Sequence, residues 1–436
     1  MKRLTLAFAA ISLLQAHAAL GLTELHFWHS MSGVPAEELN RLATRFNASQ
    51  PEYRVIPAFK GSYEESLAAG MDAIRARNGP HILQVFDAGT ASMMAAGGAF
   101  KPVHRMMAEA GEPFDTRALL PAVLGYYADG QGKLLSLPFN TATAVLFYNK
   151  DAFRKAGLDP ALAPKTWRDI QAAALKVRDS EAAPCAYTTD WQSWILVESL
   201  SAWHNEPLAT RANGYGGRDA RLNFNGELLV RHIGLLSSWV KSGLFTYAGR
   251  TTQGEAKFAS GECAMVTSSS TSYAGIAKSA RFDFAVAHLP YYDEFNGAPY
   301  NTIVRGASLW VPSGKKPVEY KGIARFFGFL SRPEVQAEWH RQTGYLPNTH
   351  SAYELNRKDG YYDRHPGADV AVKQVSRKLQ AHSRGVRLAN FHQIRALIDE
   401  ELEGVWNQTR TPKEALDSAV ARGNDLLRRY ERGGRS

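Results

Sequence analysis

Polar, aromatic and glycine residues follow three predicted strands near the start of the chain. These strands end at Trp28-His29-Ser30, at Lys60-Gly61-Ser62-Tyr63 and at Asp87-Ala88-Gly89-Thr90. In an open α/β sheet, ligands bind beyond the carboxyl ends of the strands. Hydroxyl, carboxylate and imidazole groups at that edge can exchange hydrogen bonds with a small polar molecule. The pattern therefore predicts a binding site for a small molecule at one edge of a sheet.

Two further motifs could contact a ligand. Asp190-Trp191-Gln192-Ser193-Trp194 places two tryptophans three residues apart at a predicted helix start. One ring can cover the apolar face of a small polyol while the other packs inward, or both can belong to the core. Ser268-Ser269-Ser270-Thr271-Ser272 lies between a predicted strand and a predicted helix. Such hydroxyls can bind an anion or can simply cap the helix.

The sequence lacks the motifs of common enzyme classes. It contains no H-E-x-x-H, G-x-S-x-G, C-x-x-C or G-x-x-x-x-G-K-S/T pattern. Gly214-Tyr215-Gly216 lacks the third glycine and the preceding strand of a dinucleotide-binding loop. His29 could act as a base, but a lone histidine at a cleft mouth is more often a hydrogen-bonding group. We therefore predict a protein that is not an enzyme and that uses no metal and no cofactor.

Alternating strand and helix signals position the first group of candidate residues. Strands are predicted at 25–28, 53–59 and 81–86, and helices at 35–48 and 62–77. Ser62-x-x-Glu65 is a capping box for the second helix. This alternation predicts parallel strand pairing and hence an α/β lobe.

A second group of elements begins after Leu137-Pro138-Phe139-Asn140 and predicts a second α/β lobe. Strands are predicted at 144–148, 185–188 and 263–267. One helix is predicted to begin at Asp151, a second to follow the cap Thr166-x-x-Asp169, and two more to lie near 191–205 and 228–242. Extended segments follow at 282–290 and 300–311, and the chain is then predicted to be helical from 318 to 429.

The N-terminus has the order of a secretory signal. Lys2 and Arg3 precede an apolar stretch from Leu4 to Leu14, and Ala16-His17-Ala18 supplies the cleavage site. We predict a signal peptide at 1–18 and a mature protein in the periplasm, since no later apolar run reaches the ~18 residues that cross a bilayer. The length of 436 residues favours two or three domains. The net charge of +9 forms no stripe that would bind nucleic acid.

Cys185 and Cys263 are the two cysteines of the chain. In an oxidising compartment they could form a disulfide bond or remain two small buried apolar residues. The sequence does not supply the distance between their Cα atoms, on which pairing depends.

Several segments of the chain resemble one known family. They are similar in order and spacing to the periplasmic glycerol-3-phosphate-binding proteins of ABC importers, a branch of the maltose-binding-like class, over about residues 24 to 430. The resemblance is carried by Phe27-Trp28-His29-Ser30-Met31, Lys60-Gly61-Ser62-Tyr63-Glu64, Ile82-Leu83-Gln84-Val85-Phe86, Gly89-Thr90-Ala91, Trp191-Gln192 with Trp194, Thr343-Gly344-Tyr345-Leu346-Pro347 and Asn390-Phe391-His392-Gln393-Ile394-Arg395.

The resemblance implies a type II binding-protein fold, in which two α/β lobes joined by crossing strands close on a ligand. It places the N-terminal lobe at 19–139 and 301–343, and the C-terminal lobe at 140–300 and 344–436. The implied crossings, near Phe139-Asn140 and Tyr300-Asn301, coincide with breaks in the pattern of predicted elements.

The resemblance also implies a set of ligand-binding residues. In this scheme Arg395 binds phosphate oxygens, Asp87 accepts hydrogen bonds from glycerol hydroxyls, and Trp191 covers the carbon chain. Arg395 could instead form an ion pair between the lobes. The complete implied set is Tyr63, Asp87, Ala142, Trp191, Ser269, Gly306, Tyr345 and Arg395.

Two members of this set depart from the family pattern. Asp87 stands where glutamate is common, and Ala142 stands where serine is common, so Thr141 or a water molecule could supply the missing hydroxyl. The resemblance implies a protein that captures sn-glycerol 3-phosphate and passes it to the permease and ATPase of an ABC importer. We expect a monomer that binds no nucleic acid. A glycerophosphodiester such as glycerophosphocholine, or a sugar, is the alternative ligand.

Overall fold

Strands and helices alternate along the described part of the chain, residues 21–295 and 297–433 of a computed structural model. The predicted signal peptide at 1–18 lies outside the described residues. Among those residues, no helix is long and apolar enough to span a bilayer. The strands are β1 (Thr23–His29), β2 (Tyr53–Phe59), β3 (Ile82–Phe86), β4 (Leu137–Ala142), β5 (Ala144–Asn149), β6 (Cys185–Thr189), β7 (Cys263–Ser269), β8 (Phe284–Ala287) and β9 (Arg305–Trp310).

Helices surround the strands. A π-helical segment, Ser193–Ser199, precedes α8. Short 3-10 helices lie at Asp87–Gly89 and Thr116–Ala118. The α-helices are α1 (Gly33–Ala48), α2 (Tyr63–Arg75), α3 (Thr90–Ala95), α4 (Val103–Ala110), α5 (Pro121–Tyr127), α6 (Lys150–Lys155), α7 (Trp167–Asp179), α8 (Leu200–Trp203), α9 (Thr210–Asn213), α10 (Glu227–Lys241), α11 (Gln253–Ala259), α12 (Ser272–Ser279), α13 (Pro317–Leu330), α14 (Pro333–Thr343), α15 (His350–Lys358), α16 (Tyr361–Arg364), α17 (Val370–Val375), α18 (Phe391–Trp406) and α19 (Pro412–Gly433).

The first sheet has the strand order β2-β1-β3-β9-β4. Strand β1 pairs in parallel with β2 and β3, which confirms the pairing predicted for these three strands. Strand β9 comes from much later in the chain and pairs antiparallel with both β3 and β4. The carboxyl end of β3 therefore lies beside the amino end of β9, and this brings Asp87 close to Arg305 and Gly306.

The second sheet has the order β6-β7-β5-β8 and is mixed. Strands β6 and β7 are parallel, while β5 is antiparallel to β7 and β8. Strands β4 and β5 belong to different sheets although only Thr143 separates them. The chain thus passes from one sheet to the other at a single residue and returns between β8 and β9.

Local signals predicted several elements with bounds close to those of the structure, among them β2, β3, β5, β6, α2 and α10. The capping box of α2 is present, since Ser62 Oγ accepts from the Glu65 backbone N–H at 3.2 Å and Glu65 Oε2 accepts from the Ser62 N–H at 2.7 Å. Two predictions were wrong. Trp191 has a left-handed φ of 43° and lies before the helix rather than on its first turn. The helical region predicted at 318–429 is interrupted at 376–390.

Cys185 and Cys263 form a disulfide bond. They are register partners on the adjacent parallel strands β6 and β7, with their Cα atoms 4.3 Å apart. Strand pairing therefore creates the short distance that the sequence could not supply, and the bond ties the second sheet across 78 residues of chain.

Reduction of this disulfide should lower the free energy of unfolding by about 2–4 kcal/mol, because it releases a long loop in the unfolded chain. Urea unfolding with and without dithiothreitol measures the effect. The double variant Cys185→Ser, Cys263→Ser is the control and should not respond to the reductant. Equal stability of the oxidised and reduced wild-type protein would contradict the prediction.

Candidate functional site

A buried ion network joins the end of β3 to α18 and to the π-helical segment. Arg395 Nη2 donates to Asp87 Oδ2 at 2.5 Å and to Glu198 Oε2 at 2.8 Å, and Arg395 Nε donates to Glu198 Oε1 at 2.6 Å. Asp87, Glu198 and Arg395 are 2%, 1% and 7% exposed. The two-pronged contact with Glu198 fixes the plane of the guanidinium and points Nη2 at Asp87.

Asp87 is also approached from β9. The Gly306 N–H donates to Asp87 Oδ1 at 3.4 Å, and Arg305 Nε lies 4.0 Å from the same oxygen. Gly306 has φ 128°, and a Cβ there would lie 1.8 Å from the carbonyl oxygen of Asn140. Only glycine permits this approach of β9 to β4, so the backbone donor beside Asp87 depends on it.

Arg305 lies over two tryptophan rings. Its guanidinium carbon is 4.2 Å from the ring centroid of Trp191 and 5.4 Å from that of Trp194. Trp194 is buried, whereas Trp191 is partly exposed. These distances are those of cation–π contacts. Trp194 packs inward and Trp191 faces the site, which agrees with the sequence-based alternative that the two rings have different roles. The guanidinium of Arg305 lies over one face of the Trp191 ring.

Two tyrosines border the same region. The ring of Tyr63 stacks on that of Phe86 with the ring centroids 5.5 Å apart. The Tyr63 hydroxyl accepts a hydrogen bond from Asn140 Nδ2 at 3.0 Å. Tyr345 stacks on Trp339 at 5.9 Å. Burial raises the pKa of the Tyr345 hydroxyl, an effect that Asn140 partly opposes, and burial also raises the pKa of Tyr63. Both hydroxyls therefore stay protonated at neutral pH and can donate hydrogen bonds.

In the described part of the chain, the side chains of Ser269 and Ala142 make no hydrogen bond to Asp87, Glu198 or Arg395. The Ser269 hydroxyl is bonded to Thr271 Oγ1 at 2.8 Å. Ala142 is the register partner of Arg305 across β4 and β9. Thr141 cannot supply the missing hydroxyl, because its side chain points to the other face of β4 and bonds to Asn348 Oδ1.

The hydroxyl cluster at 268–272 binds protein carboxylates. Asp190 accepts from Ser268 Oγ at 2.6 Å and from the backbone N–H of Gly254 at 2.7 Å. Ser272 Oγ donates to Glu255 Oε2 at 2.6 Å. Of the two alternatives that the sequence left open for these hydroxyls, an anion site or a helix cap, neither describes Ser268 and Ser272, which donate to the carboxyl groups of Asp190 and Glu255. Burial raises the pKa of Asp190 to about 7.

Sequence reasoning missed Glu198 and Arg305. Glu198 lies in Ser193-Trp194-Ile195-Leu196-Val197-Glu198-Ser199, where a single carboxylate among large apolar side chains indicates a buried cationic partner. Arg305 directly precedes Gly306 in sequence, but its place over Trp191 depends on tertiary structure.

The charges of the network balance. Arg305 and Arg395 carry two positive charges, and Asp87 and Glu198 carry two negative charges. Burial alone would lower the pKa of Arg395, but the two neighbouring carboxylates raise it well above its usual value. The resulting site offers guanidinium, hydroxyl and backbone N–H donors beside a carboxylate acceptor, which suits a small anionic molecule that also carries hydroxyls.

Two β-sheets surrounded by helices are joined by crossings of the chain, and a charged site lies between them. This arrangement defines the class of two-lobed solute-binding proteins. The model of the family "Bacterial extracellular solute-binding protein" matches residues 41–367. The chain therefore belongs to the bacterial extracellular solute-binding proteins.

Individual relatives are similar over nearly the whole chain. The chain is 50% identical over 430 residues to the sn-glycerol-3-phosphate-binding periplasmic protein UgpB of Yersinia enterocolitica, covering 98% of this chain and 96% of that protein. It is 49% identical to the protein of the same name from Salmonella typhimurium, covering 98% of each. The resemblance drawn from the sequence is thus confirmed, and so is the predicted periplasmic location.

Solved structures confirm the maltose-binding-like fold. The cyclic alpha-maltosyl-1,6-maltose binding protein of Arthrobacter globiformis has a TM-score of 0.77 at 21% identity, covering 93% of this chain and 99% of that one. UgpB of Mycobacterium tuberculosis in complex with glycerophosphocholine has a TM-score of 0.76 at 22% identity, with the same coverage.

Replacing Glu198 by alanine should lower the free energy of unfolding by about 3–5 kcal/mol, because it removes one partner of a buried ion pair. Urea unfolding measures the change. Glu400→Ala is the matched control, since that carboxylate pairs with Arg422 at the surface and should contribute no more than about 1 kcal/mol. Equal effects of the two substitutions would contradict the buried network.

The raised pKa of Asp190 predicts a pH-dependent contribution to stability. Because folding raises this pKa from an ordinary 3.8 to about 7, the folded protein binds the proton more tightly than the unfolded chain. The contribution is fully present below about pH 4 and is lost as the pH rises to about 7. The wild type should therefore lose up to about 4 kcal/mol of stability relative to Asp190→Asn across this window, measured by denaturant unfolding. A pH-independent difference would refute the assignment.

Proposed function

We propose that this chain is the periplasmic solute-binding component of an ABC importer and that it captures sn-glycerol 3-phosphate for delivery to the membrane permease. One observation carries the proposal: about half of the residues, over nearly the whole chain, are identical in curated proteins of that name. The ion network adds support from chemistry, since it contains guanidinium donors suited to a phosphate.

Arg395 is the phosphate-binding residue in this proposal. Its contacts with Glu198 use Nε and one hydrogen of Nη2, and Asp87 takes the other Nη2 contact. A phosphate oxygen that replaces Asp87 there exchanges one charge-assisted hydrogen bond for another, so the guanidinium does not lose a partner. Ser269 and Tyr345 supply hydroxyl donors, and Gly306 supplies a backbone N–H.

Asp87, Tyr63 and Trp191 form the polyol side of the proposed site. Once Asp87 is released from Arg395, its carboxylate can accept hydrogen bonds from the glycerol hydroxyls. Tyr63 is held by its stacking on Phe86 and can donate its hydroxyl hydrogen to the ligand. Trp191 lines the carbon chain at its exposed edge, because Arg305 covers one face of its ring.

The two lobes in this proposal are residues 19–139 with 301–343, and residues 140–300 with 344–436. The passage from β4 to β5 and the return before β9 support these boundaries. The bond from Asp87 to Arg395 links β3 of the first sheet to α18, so a ligand at that point touches both lobes. Such a ligand favours the closed form by its higher affinity for that form. The closed protein, a monomer without catalytic activity or affinity for nucleic acid, then docks on the permease and its ATPase.

Isothermal titration calorimetry of the mature protein should show one-to-one binding of sn-glycerol 3-phosphate with a micromolar dissociation constant, about −8 kcal/mol. Arg395→Ala should weaken this binding at least 100-fold, because it removes the charge-assisted donors of the phosphate. Arg357→Ala is the control, since that arginine pairs with Glu354 on a surface helix and should not alter affinity.

The same titration separates the alternatives. Heat from glycerophosphocholine but not from glycerol 3-phosphate would keep the class and change the ligand. Heat from maltose alone would indicate a sugar-binding protein, and hydrolysis of a glycerophosphodiester during long incubation would indicate an enzyme. Full affinity in Arg395→Ala would contradict the role given to that residue.

A further inference from the structure

We infer that Arg305 is a second anion-binding residue of this site and that it selects a phosphate monoester over phosphodiesters with a cationic head group. The inference rests on the proposed function and assigns a ligand preference to the same site. It follows from the position of Arg305 across from Ala142, from its contact with Trp191 and from the charges around Asp87.

The first observation is the pairing of Arg305 with Ala142. Residues that face each other across antiparallel strands project from the same side of the sheet, with Cβ atoms about 5 Å apart. The methyl group of Ala142 leaves room for the long side chain of Arg305 to pass over it. The donor that a serine would supply at position 142 is then replaced by a guanidinium from the neighbouring strand, a role that Thr141 cannot take because it is bonded to Asn348.

The second observation is the occupied face of Trp191. A quaternary ammonium group binds best over the face of an aromatic ring, and tryptophan is the strongest such partner. The Arg305 guanidinium already lies 4.2 Å from the Trp191 centroid. A choline group on this face would have to displace the guanidinium or lie beside a like charge, and both disfavour a cationic head group there.

The third observation is the charge balance. Glu198 and Asp87 together offset two positive charges, so Arg395 alone would leave the network with a net negative charge. Arg305 brings the network to neutrality. A monoester carries a charge close to −2 near neutral pH and a diester carries −1. The monoester therefore depends more strongly on the second guanidinium than the diester does.

The test is calorimetric titration of wild type, Arg305→Gln and Arg305→Lys with glycerol 3-phosphate and with glycerophosphocholine. Wild type should bind the monoester at least 10-fold more tightly. Arg305→Gln should weaken monoester binding at least 10-fold and reduce the preference by a similar factor. Arg305→Lys keeps the charge and should recover most of the monoester affinity. Arg377→Gln is the matched control, since Arg377 lies 5.1 Å from the ring of Trp203 and should leave both affinities unchanged.

The outcomes separate this inference from the proposed function. The role of Arg305 alone would be overturned if the wild type binds glycerol 3-phosphate and the ratio of its affinities for glycerol 3-phosphate and glycerophosphocholine changes by less than threefold in Arg305→Gln. Tighter binding of glycerophosphocholine by the wild type would also overturn it. A wild type that binds neither ligand would overturn the proposed function and this inference together. Thermal unfolding monitored by circular dichroism shows that each variant is folded before it is titrated.

Discussion

The pairing of Arg395 with Asp87 and Glu198 is the constraint on which the arrangement of the site depends. A guanidinium that is 7% exposed must have its charge and its hydrogen-bond donors satisfied within the protein. The end of β3, the π-helical segment and α18 therefore have to meet at one point. Because β3 belongs to the first sheet and α18 packs on the π-helical segment, the same contacts set the spacing of the two halves of the molecule.

Next to this network, an alanine and an arginine face each other across β4 and β9. Ala142 carries no hydroxyl group, and Arg305 on the paired strand projects from the same side of the sheet. Gly306 lets β9 come close enough for its N–H and the preceding arginine to approach Asp87. The hydrogen-bond donor beside Ala142 is therefore the guanidinium of Arg305, which carries a permanent charge, whereas a serine hydroxyl is neutral.

The hydroxyl groups of the serine-rich segment at 268–272 bind carboxyl groups of the protein itself. Hydroxyls near the start of a helix are suited to an anion, and in this fold they bind the carboxylates of Asp190 and Glu255. The groups of the segment are thereby used to hold α11 and β7 together. The guanidinium of Arg395 differs because one of its two carboxylate partners, Asp87, directly follows β3 of the first sheet. In the proposed function, a ligand phosphate takes the place of this carboxylate.

The sequence by itself determined the features that depend on neighbouring residues: the capping boxes at Ser62 and Thr166, most strand and helix positions, and the candidate residues Asp87 and Arg395 through family resemblance. Tertiary structure decided the rest. Strand β9 pairs with β3 although the two are far apart in sequence, and this pairing places Arg305 at the site where it contacts Trp191. The disulfide bond depends on the pairing of β6 with β7. The physical reason is that helix signals and caps act within a few residues of chain. The partner of a strand, a buried charge or a ring face is set by packing between distant segments.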